Sequence, residues 1–181
     1  MLDQKDDALI QAFLHGSRDA IGILLQRYQR SLYFLCLRMV EDHEDALELV
    51  QKTFINVMEK LGTLQNHAAF KTWVYKICIN LCYNLLREKN NYNRALTNLP
   101  ALYNAKVCWN DYLEKEEQRS IIQNCLQELS EKQRTVVILR VYQGLSYQEI
   151  SEVLGCQEAT VRSHFHLGLK KLAVKLKHFI E

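Results

Sequence analysis

Apolar residues recur at helical spacing along almost the whole chain, and the pattern predicts an all-α fold. A first stretch from about Asp6 to His15 sets Ala8, Leu9, Ala12 and Phe13 on one face, and Gly16-Ser17-Arg18-Asp19 breaks it. A second, from about Ala20 to Val40, carries Ile21, Leu24, Leu25, Tyr28, Leu32, Leu35 and Met39 on one broad stripe suited to a helix bundle. A third is expected from Asp42 to Leu61, with Leu47, Val50, Phe54, Val57, Met58 and Leu61 turned inward and Gly62 ending it. After a polar loop over residues 63–68, a fourth carries Phe70, Trp73, Val74, Ile77, Leu81 and Leu85 to about Lys89. These four make one bundle.

From Asn90 to Asp111 the periodicity weakens. Asn90, Asn91, Asn93, Asn98, Asn104 and Asn110 surround Pro100, the single proline, and the segment reads as a linker. Leu96, Leu99, Leu102, Tyr103, Val107 and Trp109 are apolar for a free tether, so part of it is expected to pack on a surface. Helical spacing resumes over Glu114–Leu129, and a helix capped by Ser130 runs to about Tyr142 and Gly144. Ser146 and Glu149 then form a capping-box pattern that opens a short helix through Leu154. Gly155 breaks it, and a longer helix starts near Gln157. The expected organisation is two helical domains, 1–89 and 114–181, joined by a flexible linker at 90–113.

Composition narrows the class. The chain has 181 residues, 48% apolar and 24% charged, with no apolar run of membrane-spanning length, so no membrane insertion is expected. Its first seven residues are acidic and polar rather than signal-like, which points to the cytoplasm. There Cys36, Cys78, Cys82, Cys108, Cys125 and Cys156 are expected to remain thiols. No four-ligand zinc spacing assembles from them, so buried small hydrophobe is the favoured role; no metal site or cofactor is expected. No nucleophile, base and oxyanion-donor set and no glycine-rich phosphate loop appear, which argues against an enzyme. Net charge is only +2, but from Arg162 onward five bases face one acid, a segment fit to meet phosphates. Glu41, Asp42, Glu44, Asp45 and Glu48 form an acidic run, readable as a solvated helix start or as a partner face.

The most informative local pattern runs from Leu145 to Phe165. A short helix, a glycine turn and a longer helix with Thr160, Arg162, Ser163, His164 and His166 near its start is the layout of a helix-turn-helix. Ile150, Val153, Leu154, Val161 and Phe165 can lock the two helices together, leaving a polar side free for a major groove. Lys170 and Lys171, one turn further on, add phosphate contacts. The competing reading is a helical hairpin in an ordinary bundle.

These residues resemble the extracytoplasmic-function sigma factors, the smallest group related to the main bacterial sigma factor. The stretch from Leu129 to Arg140, then Gly144 to Ile150 and Thr160-Val161-Arg162-Ser163, is similar to that family's region four, which reads the minus-35 element. Gly16 to Ala20, Tyr28, Asp45 to Phe54 and Phe70 to Asn80 are similar to region two in order and spacing.

The resemblance implies a protein that binds core RNA polymerase through its clamp helices and flap, recognises promoter DNA, and is held inactive by an anti-sigma factor. It implies polymerase contacts at Glu48, Gln51 and Lys52, although Lys52 stands where the family usually has an acid. For the minus-10 element, an unpaired base needs a wall, polar groups to read its edge and a basic rim. Gln65, Asn66 and His67 of the loop and Lys71, Tyr75, Lys76, Asn80 and Arg87 of the next helix are the candidates, with Asn80 foremost for base reading; Trp73 is read as core. For the minus-35 element they are Thr160, Arg162, Ser163 and His166 in the groove and Lys170 and Lys171 on phosphates. Leu167 and Leu169 stand where the family often has arginine, so its base contacts do not carry over to them. A two-lobed DNA-binding regulator that never engages polymerase is the alternative.

Overall fold

In a computed structural model of the chain, residues 5–96 and 121–177 are described, and every regular element among them is helical. The first unit comprises α1 (Asp6–Leu14), α2 (Arg18–Val40), α3 (His43–Lys60), two short 3-10 turns (Leu61–Thr63 and His67–Ala69) and α4 (Phe70–Leu96). Gly16, at φ +101°, supplies the turn between α1 and α2 that a side chain would resist. The turn into α3 is closed by Asp42, whose carboxylate accepts the Asp45 N–H at 2.9 Å. Asp6 ties α1 to α2 by accepting from Arg27 at 2.9 Å and from the Tyr28 hydroxyl. Leu9, Leu24, Leu32, Leu35, Met39, Leu49, Val57, Phe70, Val74 and Ile79 fill the centre of the unit.

Three expectations shift. On α1, Ile10 is buried and Ala8 is exposed. On α3, Leu47 and Met58 are not core: they are 43% and 45% exposed, because α3 packs through Ala46, Leu49, Val50, Thr53 and Val57 instead. And α4 does not stop near Lys89. It runs on to Leu96, since no glycine or proline interrupts it before Pro100. The rest of the expected linker, residues 97–113, lies outside the described residues.

In the second unit, residues 121–127 are helical (α5), followed by α6 (Glu131–Val137), a π-helical turn (Ile138–Tyr142), α7 (Tyr147–Leu154) and α8 (Glu158–Lys177). Both helix starts seen in the sequence form capping boxes, Ser130 with Gln133 and Ser146 with Glu149. In the π turn the Gln143 N–H reaches the Ile138 carbonyl at 3.3 Å, which widens the helix just before Gly144, at φ +66°.

The two units do not stand apart as separate lobes. Val136, Ile138, Leu139, Leu145, Ile150 and Val153 of the second join the same apolar core as Met39, Tyr75 and Cys82 of the first. A smaller cluster of Leu126, Leu129 and Val137, flanked by Leu172, closes the far side.

Gly168 sits where α8 packs on α6: a Cβ built there would sit 2.9 Å from Val137 Cγ2. In an open helix Gly→Ala stabilises by about 1 kcal/mol. Here the sign should reverse, with Gly168→Ala destabilising the chain by about 1–3 kcal/mol in urea unfolding. An unchanged or raised midpoint would show that α6 and α8 separate freely.

Candidate nucleic-acid interface

The helix-turn-helix is built as the residue pattern requires. Ser146 accepts the Glu149 N–H at 3.1 Å to start α7, and Gly155, at φ +63°, ends it in a left-handed turn. Ile150, Val153 and Val161 are buried between the two helices, and Tyr147 packs edge-on against Phe165 at 5.7 Å. That leaves Thr160, Arg162, Ser163, His166, Lys170 and Lys171 all exposed along α8. Arg162 is held in place before any ligand arrives: Glu158 accepts from its Nε at 3.0 Å and its Nη2 at 2.5 Å, and its guanidinium lies 4.6 Å from the Tyr147 ring centre. Leu167 and Leu169 are exposed on the same helix. Beside them a groove runs between α8 and the end of α5, walled by Cys125, Leu129, Leu167 and Val174 and rimmed by Lys170, Lys171 and Lys175.

On the first unit, Glu48, Gln51 and Lys52 are exposed together on α3, and Glu48 pairs with Lys52 at 2.7 Å. That hydrogen bond holds the Lys52 ammonium above its ordinary pKa. The same side of α3 carries Leu47, Ile55 and Met58, between 43% and 49% exposed. The stripe on the unpacked side of α3 is thus mixed, apolar and charged. Leu47 also borders a groove against α2 with Gln26, Gln29, Arg30 and Tyr33. The available signal was the breadth of the apolar positions on α3, which exceeds the stripe one packed face uses.

The eight residues expected to meet melted DNA are not brought into one pocket. At about 100° per residue, Lys71 and Tyr75 lie on one side of α4 and Lys76, Asn80 and Arg87 on nearly the opposite one. Lys76, Asn80 and Arg87 are exposed, as are Gln65 and Asn66 in the loop. Asn66 is partly committed, its side chain accepting the Ala68 N–H at 3.1 Å. His67 is tied to α1, with Nδ1 3.0 Å from Asp7 Oδ1 and 3.2 Å from Gln11 Nε2. Trp73 is half-buried against Phe70, in keeping with a packing role.

Lys71 and Tyr75 are the corrections. Tyr75 is only 3% exposed, burial pushes its phenol up to about 12, and its hydroxyl donates to Gln143 Oε1 of the second unit at 3.0 Å. Lys71 pairs at 3.1 Å with Glu149 of α7. Burial draws the Glu149 carboxyl upward, but the Ser146 N–H and hydroxyl and the Lys71 ammonium outweigh it and hold the group below its ordinary value. The physical reason for both corrections is that this side of α4 is where the second unit docks.

Other bonds reinforce that docking. Gln143 Nε2 donates to the Ser31 carbonyl at 3.2 Å, the Tyr83 hydroxyl donates to Thr135 at 2.9 Å, and Gln123 donates to the Arg38 carbonyl at 3.0 Å. Arg38 itself lies over the Tyr142 ring, 3.9 Å from its centre. The candidate residues therefore fall on two surfaces: the outer side of α8, open, and the α4 helix, open on one side and covered on the other.

Residues 24–92 match the family model for Sigma-70 region 2, and residues 119–172 match that for Sigma-70, region 4. The RNA polymerase sigma-H factor of Pseudomonas aeruginosa is 29% identical over 179 residues, covering 90% of this chain and 89% of that protein. The ECF RNA polymerase sigma-E factor of Haemophilus influenzae is 28% identical over 186 residues, with 95% of each chain covered. Among solved structures, the sigma factor RpoE in complex with the anti-sigma factor NepR from Bartonella quintana superposes with a TM-score of 0.68 at 22% identity, over 84% of this chain and 94% of that one.

The docking contacts rank by burial. Lys71 and Glu149 are 41% and 32% exposed, so Glu149→Gln should weaken docking by no more than about 1 kcal/mol. Gln143→Ala removes both the acceptor of the buried Tyr75 hydroxyl and the donor to the Ser31 carbonyl and should cost about 1–3 kcal/mol. Energy transfer between dyes on α3 and α8 measures the docked fraction. An equal or reversed ranking would show that the ion pair, not the buried bond, governs the interface.

Proposed function

The chain belongs to the sigma-70 family, in its extracytoplasmic-function branch, and from that membership we propose how its surfaces divide the work of promoter-specific initiation. A factor of this family is not an enzyme; it binds core RNA polymerase, which does the chemistry, and directs it to promoters. The exposed outer side of α8, with Arg162 pre-set by Glu158 and Tyr147, is the observation that carries the reading.

Arg162, Ser163 and His166, with Thr160 at the helix start, read minus-35 bases from the major groove, and Lys170 and Lys171 meet the flanking phosphates. Glu48, Gln51 and Lys52, with Leu47, Ile55 and Met58 beside them, form the face for the polymerase clamp helices. The groove between α5 and α8 faces the flap. Gln65, Asn66, Lys76, Asn80 and Arg87 receive the minus-10 strand, with Asn80 reading a base edge; His67, anchored to α1, fixes the loop that presents Gln65 and Asn66. The docked arrangement is a resting form, and core polymerase, by binding the parted domains more tightly, shifts the population toward the open one.

The relative from Bartonella quintana was solved with an anti-sigma factor. We extend that kind of control to this chain: a protein partner that prefers the docked domains, or covers the α3 and α8 surfaces, keeps it off polymerase. No helix among the described residues is long and apolar enough to cross a membrane. Working with core polymerase on chromosomal promoters places the protein in the cytoplasm.

Run-off transcription with core polymerase on a genomic fragment library tests the reading directly, and failure to stimulate initiation at any promoter would end it. Once a promoter is found, Arg162→Ala should lose about 1–3 kcal/mol of binding at one minus-35 base pair and relax selectivity there. Lys170→Ala should instead weaken all sequences alike and lower the salt-dependence slope by about 1. Interchange of those two phenotypes would move the groove contact away from Arg162.

A further inference from the structure

Three of the cysteines, far apart in sequence, meet in the core of the first domain. Cys36 comes from α2 and Cys78 and Cys82 from successive turns of α4; all three are fully buried, and their sulfurs lie within 4.8 Å of one another. Cys36 Sγ is 3.2 Å from Cys78 Sγ and 3.8 Å from Cys82 Sγ. Three sulfurs bound to one centre at about 2.3 Å stand about 4.0 Å apart when coplanar with it, and closer when the centre rises above their plane. The observed triangle already has that size. Packing alone does not require three thiols to converge on a point.

The surroundings select what the triangle can hold. The groups acting most strongly on these thiols are one another, burial and the Thr53 hydroxyl beside Cys78; no lysine or arginine is among them. A charge left in this apolar interior would be strongly penalised. Zinc on three thiolates keeps one negative charge and lacks the fourth ligand its tetrahedral sites use. Copper(I), soft enough for thiolates, would keep two. A trivalent thiophile with three thiolates is neutral.

We infer that Cys36, Cys78 and Cys82 form a three-coordinate, all-sulfur site for a trivalent thiophilic ion of the arsenite class. In the binding step each thiol proton leaves with one hydroxyl of arsenous acid as water. Three As–O bonds break, three As–S bonds form, three waters are released, and no atom is oxidised or reduced. Arsenous acid is itself uncharged at neutral pH, so it can enter the core through transient openings of α4 without carrying a charge inside. The site bridges α2 and α4, the helices on which the second domain docks.

The test uses the full chain, reduced with a phosphine under nitrogen and titrated separately with arsenite, copper(I) and zinc. Native mass spectrometry should show one arsenic per chain, and X-ray absorption should show three sulfur neighbours. Both should persist in the C108S/C125S/C156S variant. C36S, C78S and C82S, each checked for helicity by circular dichroism, should lose more than the roughly tenfold to hundredfold that changes outside a coordination shell cost. Should those variants unfold, the wild-type sulfur count and the C108S/C125S/C156S variant still decide the matter. Arsenite binding that disappears in C108S/C125S/C156S, or fewer than three sulfur neighbours, would overturn the site. Tighter occupation of the same sulfurs by copper(I) or zinc would overturn the choice of ion.

Discussion

α4 carries more apolar surface than one small bundle can cover. Phe70, Val74, Cys78 and Ile79 are buried in the first domain, while Tyr75 and Lys71, on the adjoining side, meet the π turn and α7 of the second. Burial of apolar area contributes about 25 cal/mol per Å², so leaving that second side in water is the less stable arrangement for the isolated chain. The docking of the two domains follows from this one constraint. The burial of Tyr75 and the engagement of Lys71 by Glu149 follow from the docking.

The polar bonds that cross the interface supply register more than strength. Four of them end on groups a sliding helix would misplace: the Ser31, Arg38 and Met39 carbonyls and the Gln143 amide. Each is a small net gain when made and a larger penalty when a buried group is left without its partner. The proposed opening would therefore break these bonds together rather than slide along them, which is what a population shift needs. A ligand moves that balance only by its difference in affinity for the two forms. Polymerase and an inhibitory partner can compete in those terms without sharing a single contact residue.

The parts of this structure legible in the sequence are those fixed by bonds within a few residues. The cap at Ser130, the capping box of Ser146 with Glu149 and the turn at Gly155 appear where the pattern put them, because each is closed by its own neighbours. The α8 residues expected on the groove side are all exposed for the same reason, one helix with one buried edge. What depends on distant partners was not legible. Tyr75 reads as an available aromatic until Gln143, 68 residues away, accepts its hydroxyl. Leu47 and Met58 read as core until the packing of α3 is known. Cys36 and Cys78, separated by 42 positions, carry no spacing that announces their meeting.

α4 is thus asked to satisfy four requirements with one backbone: fill the first core, dock the second domain, leave Asn80 exposed and bring Cys78 and Cys82 beneath Cys36. At about 100° per residue, Cys78 and Cys82 fall within about 60° of Lys71 and Tyr75, and of these residues only Asn80 faces nearly the other way. The demands are coupled, since a rigid helix cannot rotate one side without moving the others. Pulling Cys78 toward Cys36 and releasing Tyr75 from Gln143 act on positions less than one turn apart. Any event that repositions α4 in the first core must therefore be felt where the second domain rests, at Tyr75 with Gln143 and Lys71 with Glu149.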